Sequence, residues 1–143
     1  MKKIKIYAVL SNNDNETTTI EALADYDENK KMIKYSEEDL KVKIEYSDNR
    51  VYMNRKNSEY ELDLEFALNK KNKCKYEVNS LGLNLEIDVC TKKLEIEDNR
   101  IYINYELLND NKSIGIFEYK LLIMEWWYEY KERFKRYNWW NHK

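Results

Sequence analysis

Apolar and polar residues alternate with a period of two through most of this chain. Leu40, Val42, Ile44 and Tyr46 alternate with Lys41, Lys43 and Glu45. Tyr60, Leu62, Leu64, Phe66 and Leu68 alternate with Glu59, Glu61, Asp63 and Glu65, and Leu83, Leu85, Ile87 and Val89 with Asn84, Glu86 and Asp88. The pattern continues at Ile101, Ile103, Tyr105 and Leu107, then at Phe117, Tyr119, Leu121 and Ile123. A period of two belongs to strands with one buried and one wet face. Weaker strands precede these near Ile4–Leu10, Thr17–Tyr26 and Lys31–Tyr35. The pattern predicts about ten strands, and no helix before residue 124.

Matching parity across each turn places the loops. "EYSDNRVYMN" (45–54) and "EIEDNRIYIN" (95–104) are near copies fifty residues apart. Keeping their apolar sets on one face leaves two-residue loops at Asp48-Asn49 and Asp98-Asn99, which we expect to be type I′ turns with positive φ. Tyr46 then faces Val51 and Ile96 faces Ile101 on the inside, with Glu97 beside Arg100 outside. Between Leu68 and Cys74 parity favours a three-residue loop at Asn69–Lys71, which sets Glu65 against Lys75. The inward phase flips between Val89 and Leu94, so "CTKK" (90–93) must hold a turn or a bulge.

Successive hairpins without crossover helices make an antiparallel meander. One with an apolar face this long must curl to bury it, so the expected fold is all-β: a closed antiparallel up-and-down β-barrel or a strongly coiled half-barrel. A two-layer sandwich fits the same alternation. The segment "YEVNSLGLNLEIDVCTKKLEIEDNRIYINYEL" (76–107) resembles the YwiB-like family, small bacterial β-barrel proteins of unknown function with a calycin-like fold. The likeness is carried by Tyr76, Gly82 heading an alternating strand, Thr91, Leu94, Ile101 and Tyr105, with "YSEED" (35–39) and Arg55 upstream. The resemblance runs from about Ile4 to Ile123. It implies a calycin- or lipocalin-like barrel related to lipid- and ligand-carrying proteins and brings no catalytic residues.

Composition adds restraint more than direction. The net charge of -2 implies no overall attraction to nucleic acid or anionic lipid. From Lys120 onward six Lys/Arg face three Glu, so the tail carries +3. No stretch approaches the ~20 apolar residues of a membrane-spanning helix. "MKKIKIYAVLS" is interrupted by Lys5 and does not read as a signal peptide, so a cytoplasmic protein is expected. Cys74 and Cys90 have no metal or redox spacing and opposite parity, so they should not bridge.

Candidate chemistry is sparse. The one histidine, His142, is penultimate, and the carboxylates alternate outward as a solvated face. No catalytic site, metal or cofactor is expected. The inward set holds Tyr46, Tyr60, Tyr76, Tyr105 and Tyr119 beside Met53, Phe66 and Phe117. Buried phenols need hydrogen-bond partners. Two readings stay open: a filled core whose tyrosines reach the rims, or a cavity whose hydroxyls orient a small hydrophobic or amphipathic ligand.

All four tryptophans stand in the last twenty residues, "MEWWYEYKERFKRYNWWNHK". Ile123, Trp127, Tyr130, Phe134 and Tyr137 follow helical spacing, predicting an amphipathic helix over Glu125–Tyr137 in a C-terminal segment 124–143 beyond a barrel of residues 1–123. Trp126, Trp139 and Trp140 lie off that stripe. The expected function is a non-enzymatic barrel binding a small amphipathic ligand. The alternative is an interaction module in which Trp126, Trp127, Tyr130, Phe134, Trp139 and Trp140 dock a partner or a second copy as a homodimer.

Overall fold

A computed structural model describes residues 2–124. Ten strands follow one another: β1 (Lys2–Asn12), β2 (Thr17–Asp27), β3 (Met32–Glu37), β4 (Leu40–Tyr46), β5 (Arg50–Lys56), β6 (Tyr60–Ala67), β7 (Lys71–Val78), β8 (Leu83–Glu97), β9 (Arg100–Asn109) and β10 (Lys112–Met124). Each pairs antiparallel with the next, and β1 pairs with β10 from Lys5↔Met124 to Asn12↔Phe117. That last ladder closes the sheet into a barrel, which rules out the sandwich. Met124 ends β10 and is buried. The helix expected over Glu125–Tyr137, and with it Trp126, Trp127, Tyr130, Phe134, Trp139 and Trp140, lies outside the described residues.

Inward phase and burial agree strand by strand. Ile6, Ile33, Ile44, Val51, Phe66, Val89, Ile101, Ile103 and Leu121 have no solvent exposure, and they come from eight of the ten strands. Fully burying a side chain of this size contributes about 1.5–3 kcal/mol, so this cluster drives closure. The loops alternate between two ends. Lys2, Met124 and the turns at 28–31, 47–49, 68–70 and 98–99 lie at the lower end; those at 13–16, 38–39, 57–59, 79–82 and 110–111 lie at the upper end.

The hairpin registers follow the parity argument with two corrections. Tyr46 pairs with Val51, Ile96 with Ile101 and Glu97 with Arg100, leaving the two-residue loops Asp48-Asn49 and Asp98-Asn99. Their residues do not take positive φ, because Asp and Asn tolerate that region without requiring it. The type I′ signature occurs instead at Asp110-Asn111, with φ of 51° and 64°.

The second correction is at β6–β7. The loop is Leu68–Lys70, with Asn69 at φ 59° and the Lys70 N–H donated to the Ala67 carbonyl at 3.1 Å. Asp63 therefore faces Lys75, and Glu61 faces Glu77. Glu65 finds its cation elsewhere, at Arg50 on β5, 3.1 Å away. A surface charge pair is worth too little to set a register that inward packing decides.

The expected irregularity in "CTKK" is a β-bulge. Thr91 pairs with Tyr105 and Lys93 with Asn104, so Lys92 is the extra residue and β8 continues with its phase reversed. A second bulge sits between Ser113 and Gly115 on β10. There the Phe117 ring lies over Gly115 so closely that a Cβ would meet its edge at 2.8 Å.

The wall parts at two seams. The β6–β7 ladder stops at Asp63/Lys75, leaving the lower part of that hairpin splayed. Thr91 fills the opening: its Oγ1 accepts the Ala67 N–H at 3.2 Å, its carbonyl accepts the Asn69 N–H at 3.2 Å, and its own N–H reaches the Lys70 carbonyl at 3.3 Å. Asn72 Nδ2 donates to the Glu65 carbonyl at 3.2 Å. On the other side, β2 and β3 pair only over Ala24–Asp27 and Met32–Tyr35. Above that point Thr17–Leu23 stay with β1 while the top of β3 stays with β4, and the wall is open.

Candidate functional site

The open seam holds the site. A cavity of about 300 Å³ lies between the inner face of the β1–β2 hairpin and the β3–β4 hairpin, opening at the upper end. Ala8, Leu10, Ile20 and Leu40 make its apolar walls, and Tyr35, Arg55 and Tyr119 line it among them. The β3–β4 turn contributes Glu37, Glu38 and Asp39. Outside the same seam a second hollow of about 350 Å³ is bordered by Lys34, Lys41 and Lys43, and Tyr35 borders both.

Tyr35 comes from β3 and Tyr119 from β10, and their hydroxyls meet at 2.9 Å. Burial pushes both phenols above the ordinary tyrosine range; the neighbouring positive charge of Arg55 opposes the shift without cancelling it. Both are therefore neutral hydroxyls at physiological pH. Arg55 reaches them because β5 runs Val51, Met53, Arg55 on its inward phase, and Arg55 pairs with buried Val42. Its guanidinium is partly buried among the phenols of Tyr35, Tyr119, Tyr60 and Tyr105.

The expected tyrosine set is dispersed by the fold. Of the eight inward residues expected, those five tyrosines with Met53, Phe66 and Phe117, only Tyr119 lines the cavity. Tyr46 is at the lower end, 3.1 Å from the Tyr26 hydroxyl, where the two partner each other. Tyr105 is sandwiched between Phe66 at 4.7 Å and Phe117 at 5.3 Å, the latter nearly parallel, and burial pushes its pKa above the ordinary tyrosine range. These three rings are core. Tyr60 and Tyr76 meet edge-to-face at 5.8 Å near the upper rim. Most of the barrel is thus filled, and the space is at its mouth.

Sequence reasoning missed Tyr35 and Tyr26 because β3 is short and β2 pairs with it only in part. Arg55 carried a usable signal, a charge at the inward phase directly after Val51 and Met53. Cys74 is buried and Cys90 half-buried, and they do not bridge; burial pushes the Cys74 thiol up to about 11. Among the described residues no group of three or more His, Cys, Asp or Glu side chains is placed to hold a metal ion, and no helix is long and apolar enough to cross a membrane.

The chain is thus a closed ten-stranded antiparallel up-and-down β-barrel with a cavity at one end. The chain belongs to the family described as a domain of unknown function, DUF1934, whose model matches residues 3–121. Among solved structures it is similar to the ywiB protein from Bacillus subtilis, with 19% identity and a TM-score of 0.61 over 87% of this chain and 90% of that one. At that identity the likeness establishes the fold. No curated protein matches the chain in sequence.

Proposed function

We propose that this protein is a non-enzymatic binding barrel that takes a small amphipathic ligand in the upper-end cavity, between β1–β2 and β3–β4. The observation that carries the reading is the pairing of apolar walls (Leu10, Ile20, Leu40) with a polar cluster of one guanidinium and two phenols, above a filled core. Apolar walls with a few convergent polar groups are the usual composition of a small-molecule pocket. The same cluster favours binding over catalysis. A guanidinium keeps its proton, and phenols that burial holds protonated cannot act as bases, so these groups orient a ligand without activating it. Two unbridged cysteines support a reducing, cytoplasmic setting.

Native mass spectrometry of protein purified from its own host tests this. The expected result is a retained small mass that is released on denaturation. A bare chain mass under the gentlest conditions, with a crystal showing only ordered water in the cavity, would contradict it.

A further inference from the structure

We propose that Arg55 anchors the carboxylate of a small monocarboxylic ligand whose apolar body lies against Leu10, Ile20 and Leu40. This rests on the ligand-binding reading above and adds the chemical class of the ligand.

The first ground is an unmatched charge. Among the described residues the ion pairs lie on the outer face and at the barrel ends, and none includes Arg55. The groups beside it are the phenols of Tyr35, Tyr119, Tyr60 and Tyr105, and the carboxylates of Glu37, Glu38 and Asp39, which line the same cavity, make no ion pair with it. A guanidinium cannot shed its proton to escape burial, so a partly buried one needs an anion or water. Its planar fork fits the two oxygens of a carboxylate.

The second ground is a spare donor. In the Tyr35–Tyr119 pair one hydroxyl donates to the other at 2.9 Å. That leaves the accepting hydroxyl with its own hydrogen uncommitted beside Arg55. A carboxylate seated on the guanidinium would take it. The third ground is the rim. Glu37, Glu38 and Asp39 border the cavity on the β3–β4 turn and penalise a second negative charge on the ligand. This favours a monocarboxylate over phosphate or a dicarboxylate. The volume, about 300 Å³, is at the small end of ligand pockets and suits one ring and a short chain.

Isothermal titration of the full chain with 3-phenylpropionate, 3-phenylpropanamide and inorganic phosphate tests this, with Arg55→Met and Arg55→Lys as variants. The acid should bind, and both the neutral amide and the Arg55→Met variant should lose about tenfold or more, as expected for a charge-assisted pair. Arg55→Lys should recover part of that loss, and phosphate should bind more weakly than the acid. Equal binding of acid and amide, or an unchanged Arg55→Met variant, would overturn the anchor while leaving the ligand-binding reading intact. Phosphate binding as tightly as the acid would overturn the monocarboxylate class. Silence from all three probes would overturn the anchor and count against the pocket itself. Should Arg55→Met fail to fold, the acid and amide compared on the unaltered chain decide the matter.

Discussion

Strands β6 and β7 lose their ladder toward the lower end, and β2 and β3 lose theirs toward the upper end, yet side chains close only the first opening. At the β6–β7 seam Thr91 and Asn72 supply the hydrogen bonds that the missing ladder would have made. Thr91 faces inward on the phase of Ile87 and Val89, at the last position before the β8 bulge reverses it. At the β2–β3 seam the facing groups are Thr18 and Ile20 on one side and Glu37, Leu40 and Arg55 on the other. Backbone polar groups at a parting must find partners somewhere. A seam satisfied from within is structure; one left to solvent is a place where a ligand can supply what is missing.

The largest effect expected from this contrast is at Phe66, which flanks the closed seam with no exposure and packs on Tyr105. Phe66→Ala should cost about 3–5 kcal/mol in denaturant unfolding. A cost near that of a surface change would mean that the core beside this seam is loose. Next is Thr91→Val, which keeps the shape but strands the Ala67 N–H. It should cost about 1–3 kcal/mol by the same measurement. A neutral result would break the comparison, since the seam would then need no seal. Smallest is Arg55→Met, where burial works against the charge. Stability should hold or rise by about 1 kcal/mol while ligand affinity falls. A loss as large as that of Thr91→Val would make Arg55 a brace and the two seams alike.

The alternation made the barrel legible, because a period of two names the inward residues without any knowledge of their partners. Parity likewise found the bulge at Thr91–Lys93 and the two-residue loops at Asp48 and Asp98. It failed wherever it was asked for more than phase. Asn69 and Asp110-Asn111 take positive φ where the repeated Asp-Asn pairs do not, a choice that turn composition leaves open. The site was the least legible part. Which inward tyrosines meet depends on how strands stagger around the barrel, so Tyr119 meets Tyr35 across 84 positions while Tyr46 is carried to the opposite end. The parting of β2 from β3 has no mark in the local sequence at all. The charge at Arg55, on a phase otherwise apolar, was the one visible sign.

Hydrogen exchange followed residue by residue by NMR tests the open seam most directly. Amides of Thr18–Leu23 that point away from β1 should exchange with little protection, whereas those of Ile44 and Ile103 should exchange only on global unfolding. Uniform, global-level protection along all of β2 would contradict the account, for it would mean that the wall closes there and leaves no mouth for a ligand to enter.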